Sequence, residues 1–480
     1  MRFSYKDYKL LVGPLVGFLL FIINPFSLGE KAASVLSIGA VMILWWVLEA
    51  LPLAVVALMP IIFFPLFGIT SVKEVTKSYA DSTIFLFMGG FFIALAIEKW
   101  NLHKRIALGI IHVTGTNGDR IILGFILATG FLSLWLSNTA TTMMMFPIAL
   151  SVIRVIEDQR EAGGNMRNFS LVLMLSIAYA SNFALGTVIG TPPNVAYAAH
   201  IQDRFGYMIG FTDWMIVFMP LTILLLLMLY WVLVKWLYPN NIKHSDAAKS
   251  YISNELKSLG KFSTQERRVL FIFLLTVFLW ITKDLLNRGQ PLVKLDDTMI
   301  ALFGGLLLFA IPSGIKEDKN NRLLEWGDTH KMAWGILLLF GGGIALAKAL
   351  EDVKLLDVVG AYIASYSSSN ILVMVLVVTT LSVFLSEVMS NVAQVIVFGP
   401  VISSVSVVLK IDPLLLGIPM TLAASCASML PMGTPPNAIV FASGLVRIKD
   451  MIKTGMVLNI ICIILITLFC WLLQPYFLKL

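Results

Sequence analysis

Two five-residue segments of identical sequence, Gly190-Thr191-Pro192-Pro193-Asn194 and Gly433-Thr434-Pro435-Pro436-Asn437, lie inside apolar runs. Proline lacks an N–H and disfavours helix at the residue before it, so a helix reaching either segment must break. Pro192 and Pro193 leave the carbonyls of Val188 and Ile189 without intrahelical donors, and Pro435 and Pro436 do the same to Pro431 and Met432. In hydrocarbon a bare carbonyl is tolerated only where it faces protein, a cavity or an ion. With the Thr191 and Thr434 hydroxyls, these carbonyls make oxygen ligands suited to a hard monovalent cation.

A second pair of polar segments, Ser137-Asn138-Thr139-Ala140 and Ser390-Asn391-Val392-Ala393, interrupts the apolar runs 121–153 and 371–409. Each run is too long for one span and reads as a re-entrant hairpin with its tip at mid-membrane. Amide and hydroxyl donors at such a tip sit beside helix N-termini, whose partial positive charge favours an anion. Lys348 is the only Lys or Arg that threading the spans leaves inside one. A dianion must therefore be held by dipoles, neutral donors and bound cations instead of an Arg clamp.

The elements that position these groups follow from composition. Of the 480 residues 58% are hydrophobic and 13% charged, and the mean hydropathy is +0.88, which excludes an ordinary cytosolic domain. Apolar runs at 32–48, 51–68, 209–234 and 455–474 reach the ~20 residues a helix needs to cross the hydrocarbon. The run Leu10 to Phe26 follows a basic start but lacks a small-residue cleavage site, and reads as a retained first helix. The net charge of +7 concentrates in segments on the N-terminal side of the membrane, above all Lys235 to Arg268. That places the N-terminus in the cytoplasm and makes this segment a cytoplasmic linker, not a nucleic-acid patch. Cys426, Cys462 and Cys470 form no CxxC pair and read as buried free thiols.

A third matching pair, Gly90-Phe91-Phe92-Ile93-Ala94-Leu95-Ala96 and Gly341-Gly342-Gly343-Ile344-Ala345-Leu346-Ala347, precedes the other two in each half. Three recurrences in one order, about 250 residues apart, indicate duplication. An odd number of spans between equivalent elements makes the repeats inverted. The expected architecture is an all-α polytopic membrane protein of two inverted repeats, each with a re-entrant hairpin and a broken transmembrane helix. Its parts are a scaffold (1–118) and transport (119–236) portion of repeat 1, the linker 237–268, and a scaffold (269–369) and transport (370–480) portion of repeat 2.

These segments resemble the divalent anion/sodium symporter family, the INDY-like dicarboxylate and citrate carriers. The resemblance runs over nearly the whole chain and includes Glu49-Ala50-Leu51-Pro52-Leu53 and Glu98-Lys99-Trp100-Asn101-Leu102-His103-Lys104-Arg105-Ile106-Ala107-Leu108. It implies a homodimer with an elevator mechanism, and two sodium sites flanking one dicarboxylate between the hairpin tips. By motif position, the first sodium site takes Ser133, Ser137, Asn138 and the backbone at Gly190, with Asn138, Thr139 and Thr191 turned to the substrate. The second takes Ser386, the Met389 carbonyl, Asn391 and Gly433, with Asn391, Val392, Thr434 and Pro435 towards the substrate. The chain departs from the family after its second tripeptide, reading Gln394-Val395 where hydroxyl residues are usual and where the first half has Thr141-Thr142.

The expected function is secondary transport of C4 or C5 dicarboxylates such as succinate, malate, fumarate or 2-oxoglutarate, by sodium symport or by exchange. Citrate, a divalent inorganic anion and an ion channel are the alternatives. The location expected is the plasma (inner) membrane of a bacterium, with sodium and no organic cofactor. No phosphate loop, HExxH pair or nucleophile with a basic partner supports an enzyme or ATP-driven transport. Lys348 reads as a snorkelling residue paired with Glu351, and His103-Lys104-Arg105 as the start of an interfacial helix.

Overall fold

The computed structural model describes residues 5–25, 27–115, 117–158, 165–242, 246–289, 294–315, 321–365 and 370–472. The named elements among them are helical, and eight helices are long and apolar enough to cross a membrane. The run 209–234 becomes the long helical stretch Phe211–Leu237, and the described part of the run 455–474, up to residue 472, falls within Ile448–Leu472. The run 51–68 differs from expectation. It forms two short helices, Leu53–Val56 and Met59–Leu66, in a stretch where Pro52, Pro60 and Pro65 withdraw backbone donors.

The order of elements recurs in the two halves. Ser82–Lys99 is followed by the short helix Leu102–Thr114, and Trp334–Asp352 by Leu355–Ala364. Both short helices start from a left-handed residue, Asn101 at φ 56° and Lys354 at φ 55°. The hairpins come next. Gly118–Ser133 and Asn138–Asp158 form the first, Ile371–Ser386 and Asn391–Val408 the second, and an asparagine caps the start of each hairpin, Asn117 on the Arg120 N–H and Asn370 on those of Leu372 and Val373. Each is followed by a broken helix: Met166–Asn182 resuming at Pro192–Phe205, and Pro413–Ala424 resuming at Pro435–Phe441. Both resumptions place proline in the first turn, where its missing N–H has no partner to lose.

The halves are interlocked through these broken helices. Pro192–Phe205 packs on Asn391–Val408 and Pro413–Ala424 of the other half, and Pro435–Phe441 packs on Met166–Asn182 and Asn138–Asp158. Ser82–Lys99 and Asp297–Ala310 touch closely enough that a Cβ on Gly89 would enter the Ala301 backbone. Outside this core, helix Asp246–Ser258 of the linker lies on Leu102–Thr114 and Asn138–Asp158. Arg105 secures that end, pairing with Glu266 at 2.6 Å and donating to the Leu259 and Gly260 carbonyls. His103 is buried against the Ile97 carbonyl, and burial holds its imidazole below the usual histidine range.

Glu351 is not paired with Lys348. It meets Arg204 at 3.4 Å, and Arg204 also donates to Ser404 Oγ at 2.7 Å, because the guanidinium of the resumed helix Pro192–Phe205 reaches the acidic end of Trp334–Asp352 first. All three cysteines are buried and free.

Candidate functional site

The first tip lies between Ser133 and Asn138, where the chain reverses over Leu134 to Ser137. Ser137 accepts the Ala140 N–H at 3.2 Å, which caps the second arm. Tip and break meet at one neutral hydrogen bond, Thr187 Oγ1 to the Leu134 carbonyl at 2.6 Å. The break itself, from Phe183 to Thr191, contains a single 3-10 turn, Val188–Gly190. A Cβ on Gly190 would stand 2.5 Å from the Ala184 carbonyl oxygen, so only glycine allows this turn to close.

The second tip, Glu387 to Ser390, meets its break differently. The Ser386 hydroxyl shares its single proton between Asn391 Oδ1, at 2.6 Å, and the Ala424 carbonyl. Glu387 is 3% exposed. Its carboxylate accepts the consecutive backbone N–H groups of Ser428, Met429 and Leu430 at 2.8, 2.9 and 3.0 Å, and the Asn459 amide at 2.7 Å. Three successive amides turned onto one acceptor form an anion nest, here filled by the protein's own side chain. In the register that pairs Asn391 with Asn138, the first half has Leu134 at this place.

The two breaks cross, and their contacts are reciprocal. Asn182 donates to Thr434 Oγ1 at 3.0 Å, and Ser425 donates to Thr191 Oγ1 at 3.3 Å. In the register that pairs Thr191 with Thr434, Asn182 stands where Ser425 does, so each half reaches the same threonine of the other. The asparagines ending the five-residue motifs have matching roles. Asn194 donates to the Thr187 carbonyl at 3.1 Å and Asn437 to the Leu430 carbonyl at 3.1 Å, satisfying oxygens that the breaks release.

The structure thus brings together Gly190, Thr191, Gly433 and Thr434 at the crossing, with Ser133, Ser137 and Asn138 on one side and Ser386, Met389 and Asn391 on the other. Thr191 and Thr434 are buried, Asn138, Thr139, Asn391 and Val392 half-buried, and Ser137 and Pro435 exposed. No hydrogen bond joins the two tips directly among the described residues. Helices Asn138–Asp158, Asn391–Val408 and Pro192–Phe205 all begin here, and no Lys or Arg lies in the tips or breaks. A cavity of about 450 Å³, counting its open mouth, is lined by Ser137, Gly190 and Pro192 and by Gly90, Trp135 and Phe340.

Several oxygens at this place are buried without a partner: Ser133 Oγ, Asn138 Oδ1, Thr141 Oγ1 and Asn194 Oδ1. Buried polar atoms are nearly always bonded, so a cluster of unbonded neutral oxygens is a ready set of ligands for a hard cation. Around the first tip the donor set therefore fits sodium, which would enter as a co-substrate. The sequence reading missed Glu387, Asn182, Ser425 and the carbonyl-capping roles of Asn194 and Asn437. One signal was available: Glu387 is an acidic residue within an otherwise uncharged hairpin, four positions before Asn391.

Crossed broken helices thus lie between two hairpin tips in a chain with eight helices long and apolar enough to cross a membrane. The sodium:sulfate symporter transmembrane region matches residues 7–477, and the chain belongs to that family, which bears out the resemblance read from its motifs. Among curated relatives, the sodium-dependent dicarboxylate transporter SdcS of Staphylococcus saprophyticus is 40% identical over 98% of this chain and 93% of its own length. The protein of the same name from Staphylococcus aureus is 40% identical over 97% and 91%. Among solved structures, the YdaH transporter of Alcanivorax borkumensis shares the fold with a TM-score of 0.58 at 14% identity, over 83% of this chain and 85% of that one.

Proposed function

We propose that this chain is a secondary transporter that carries C4 or C5 dicarboxylates, such as succinate, malate, fumarate and 2-oxoglutarate, together with sodium. The observation that carries the reading is the unpartnered Ser133 and Asn138 oxygens beside the Gly190 turn, in a site with no Lys or Arg. Two sodium ions would neutralise a dianion that the protein itself has no cation to hold, and three helix N-termini add partial positive charge. The first ion uses Ser133, Ser137, Asn138 and the backbone at Gly190; the second uses Ser386, the Met389 carbonyl, Asn391 and Gly433. Asn138, Thr139, Thr191, Asn391, Val392, Thr434 and Pro435 face the substrate. The names of the relatives support dicarboxylate over citrate or an inorganic divalent anion.

The reciprocal bonds Asn182 to Thr434 and Ser425 to Thr191 support a two-fold, inverted relation of the repeats, since such an axis returns each contact with its partners exchanged. In this reading 119–236 and 370–480 move as one transport unit against the scaffold 1–118 and 269–369, as an elevator in a homodimer, with 237–268 on the cytoplasmic side of a bacterial inner membrane. The test is counterflow: proteoliposomes loaded with unlabelled succinate should accumulate labelled succinate, and malate and fumarate should compete where sulfate does not. Asn138→Ala should abolish this uptake while eluting and melting as a folded protein. Undiminished uptake by that variant would overturn the site.

A further inference from the structure

The two hairpins share a register but not a state of internal bonding. In the first, Thr129 Oγ1, Ser133 Oγ, Asn138 Oδ1 and Thr141 Oγ1 are all buried and unpartnered. In that register their counterparts are Ser382, Ser386, Asn391 and Gln394. Each of these makes a hydrogen bond within the protein, and of their side-chain oxygens only Gln394 Oε1 is buried without a partner. Gln394, fully buried, donates from Nε2 to Ser382 Oγ at 2.6 Å and to the Ser382 carbonyl at 3.0 Å, tying one arm to the other. Ser382 Oγ passes its own proton to the Met420 carbonyl at 2.6 Å. One turn nearer the tip, the Ser386 hydroxyl stands 2.6 Å from Asn391 Oδ1 and shares its one proton between that oxygen and the Ala424 carbonyl. No side-chain hydrogen bond links the arms of the first hairpin among the described residues.

We propose that Gln394 clamps the second hairpin and makes the two cation sites unequal. A sodium ion at the first site meets oxygens already free, whereas at the second it must take Asn391 Oδ1 from the Ser386 hydroxyl that the clamped arms hold against it. Thr141 is too short to form such a clamp in the first hairpin, because its hydroxyl ends two atoms nearer the backbone than the amide of Gln394. The carboxylate of Glu387, close behind Gly433, attracts a cation to the second site in any case. It is the same in wild type and variant, so its effect drops out when Gln394 alone is changed. This inference rests on the proposed sodium coupling and assigns Gln394 as a positioning residue for it.

The experiment is a pair of mirror substitutions, Gln394→Thr and Thr141→Gln, in purified protein reconstituted into liposomes, with succinate uptake followed against sodium concentration. Removing the two bonds from Gln394 to Ser382 lets the arms yield the Ser386–Asn391 contact, and a gain of about 1 kcal/mol there should lower the half-saturating sodium concentration of Gln394→Thr about fivefold and raise the Hill coefficient towards two, with the succinate KM at saturating sodium unchanged. Thr141→Gln should raise the half-saturating concentration by a similar factor. Ser382→Ala, which removes the hydroxyl that Gln394 grips, should move sodium dependence in the same direction as Gln394→Thr. Tighter sodium binding is not a consequence of general damage, so improvement in Gln394→Thr separates the clamp from a packing role. Wild-type sodium dependence with unchanged curves in all three variants would overturn the clamp alone. Wild-type uptake indifferent to sodium would overturn the coupling on which it rests.

Discussion

Replacing Glu387 by alanine should free the second break from the second tip. The carboxylate accepts four hydrogen bonds, at 2.7 to 3.0 Å, from Ser428, Met429, Leu430 and Asn459, and it is buried. A hydrogen bond to a charged group contributes about 1.5–3 kcal/mol, and an amide left unpaired in the interior costs about 1–3 kcal/mol. Four such donors could lose far more than the observed range of single mutants allows, so backbone relaxation must recover part, and a net loss of about 4 kcal/mol is expected. Local opening free energy sets amide exchange, and 4 kcal/mol corresponds to roughly a thousandfold faster exchange at Ser428, Met429 and Leu430. Glu387→Gln keeps one acceptor oxygen but turns an NH₂ towards a backbone N–H, at a cost of about 2 kcal/mol, or some thirtyfold in exchange. Thr187→Val, which removes the single neutral bond between the first break and its tip, should cost only about 1 kcal/mol, near fivefold in the exchange of residues 187–190. Hydrogen exchange read by mass spectrometry in detergent micelles measures all three. Exchange of residues 428–430 at the wild-type rate in Glu387→Ala would refute the assignment of Glu387 as the anchor of the second break.

Three further outcomes follow from the crossing. Gly190→Ala forces a methyl to within 2.5 Å of the Ala184 carbonyl, at a cost of about 1–3 kcal/mol, and should remove sodium-stimulated uptake. Gly433→Ala meets nothing nearer than the Glu387 carboxylate at 3.1 Å, with Ala427 and the Leu430 carbonyl at 3.4 Å, and should be the milder change in the same uptake assay. Asn182→Ala removes the donor to Thr434 and should raise the succinate KM several-fold with the melting temperature little altered, since a net hydrogen bond is worth about 1 kcal/mol. An unchanged KM would detach the crossing from substrate binding.

Much of the site was legible because its chemistry violates the hydrocarbon rule in one dimension. Paired prolines inside apolar runs must break a helix, and the structure breaks both helices there. A Ser-Asn pair at the centre of a run too long for one span must turn, and the chain turns immediately before each asparagine, over 134–137 and 387–390. What could not be read depends on distant residues meeting. The Glu387 side chain is explained only by amides 41 to 43 residues away and an asparagine 72 residues away. The reciprocity of Asn182 with Thr434 spans 252 residues. Lys348 and Glu351 have helix spacing, which suggested a pair, yet Arg204, brought in by the interlock of the halves, takes the carboxylate. Gln394 was visible as a departure from its counterpart, but its grip on Ser382 was not.

The most direct measurement of the central claim uses empty proteoliposomes with no internal dicarboxylate and an inward sodium gradient. The account predicts that labelled succinate accumulates above equilibrium, that replacing external sodium with choline abolishes accumulation, and that collapsing the gradient releases the label. Accumulation only when dicarboxylate is preloaded, with no response to sodium, would contradict coupled uptake and leave exchange as the transport mode.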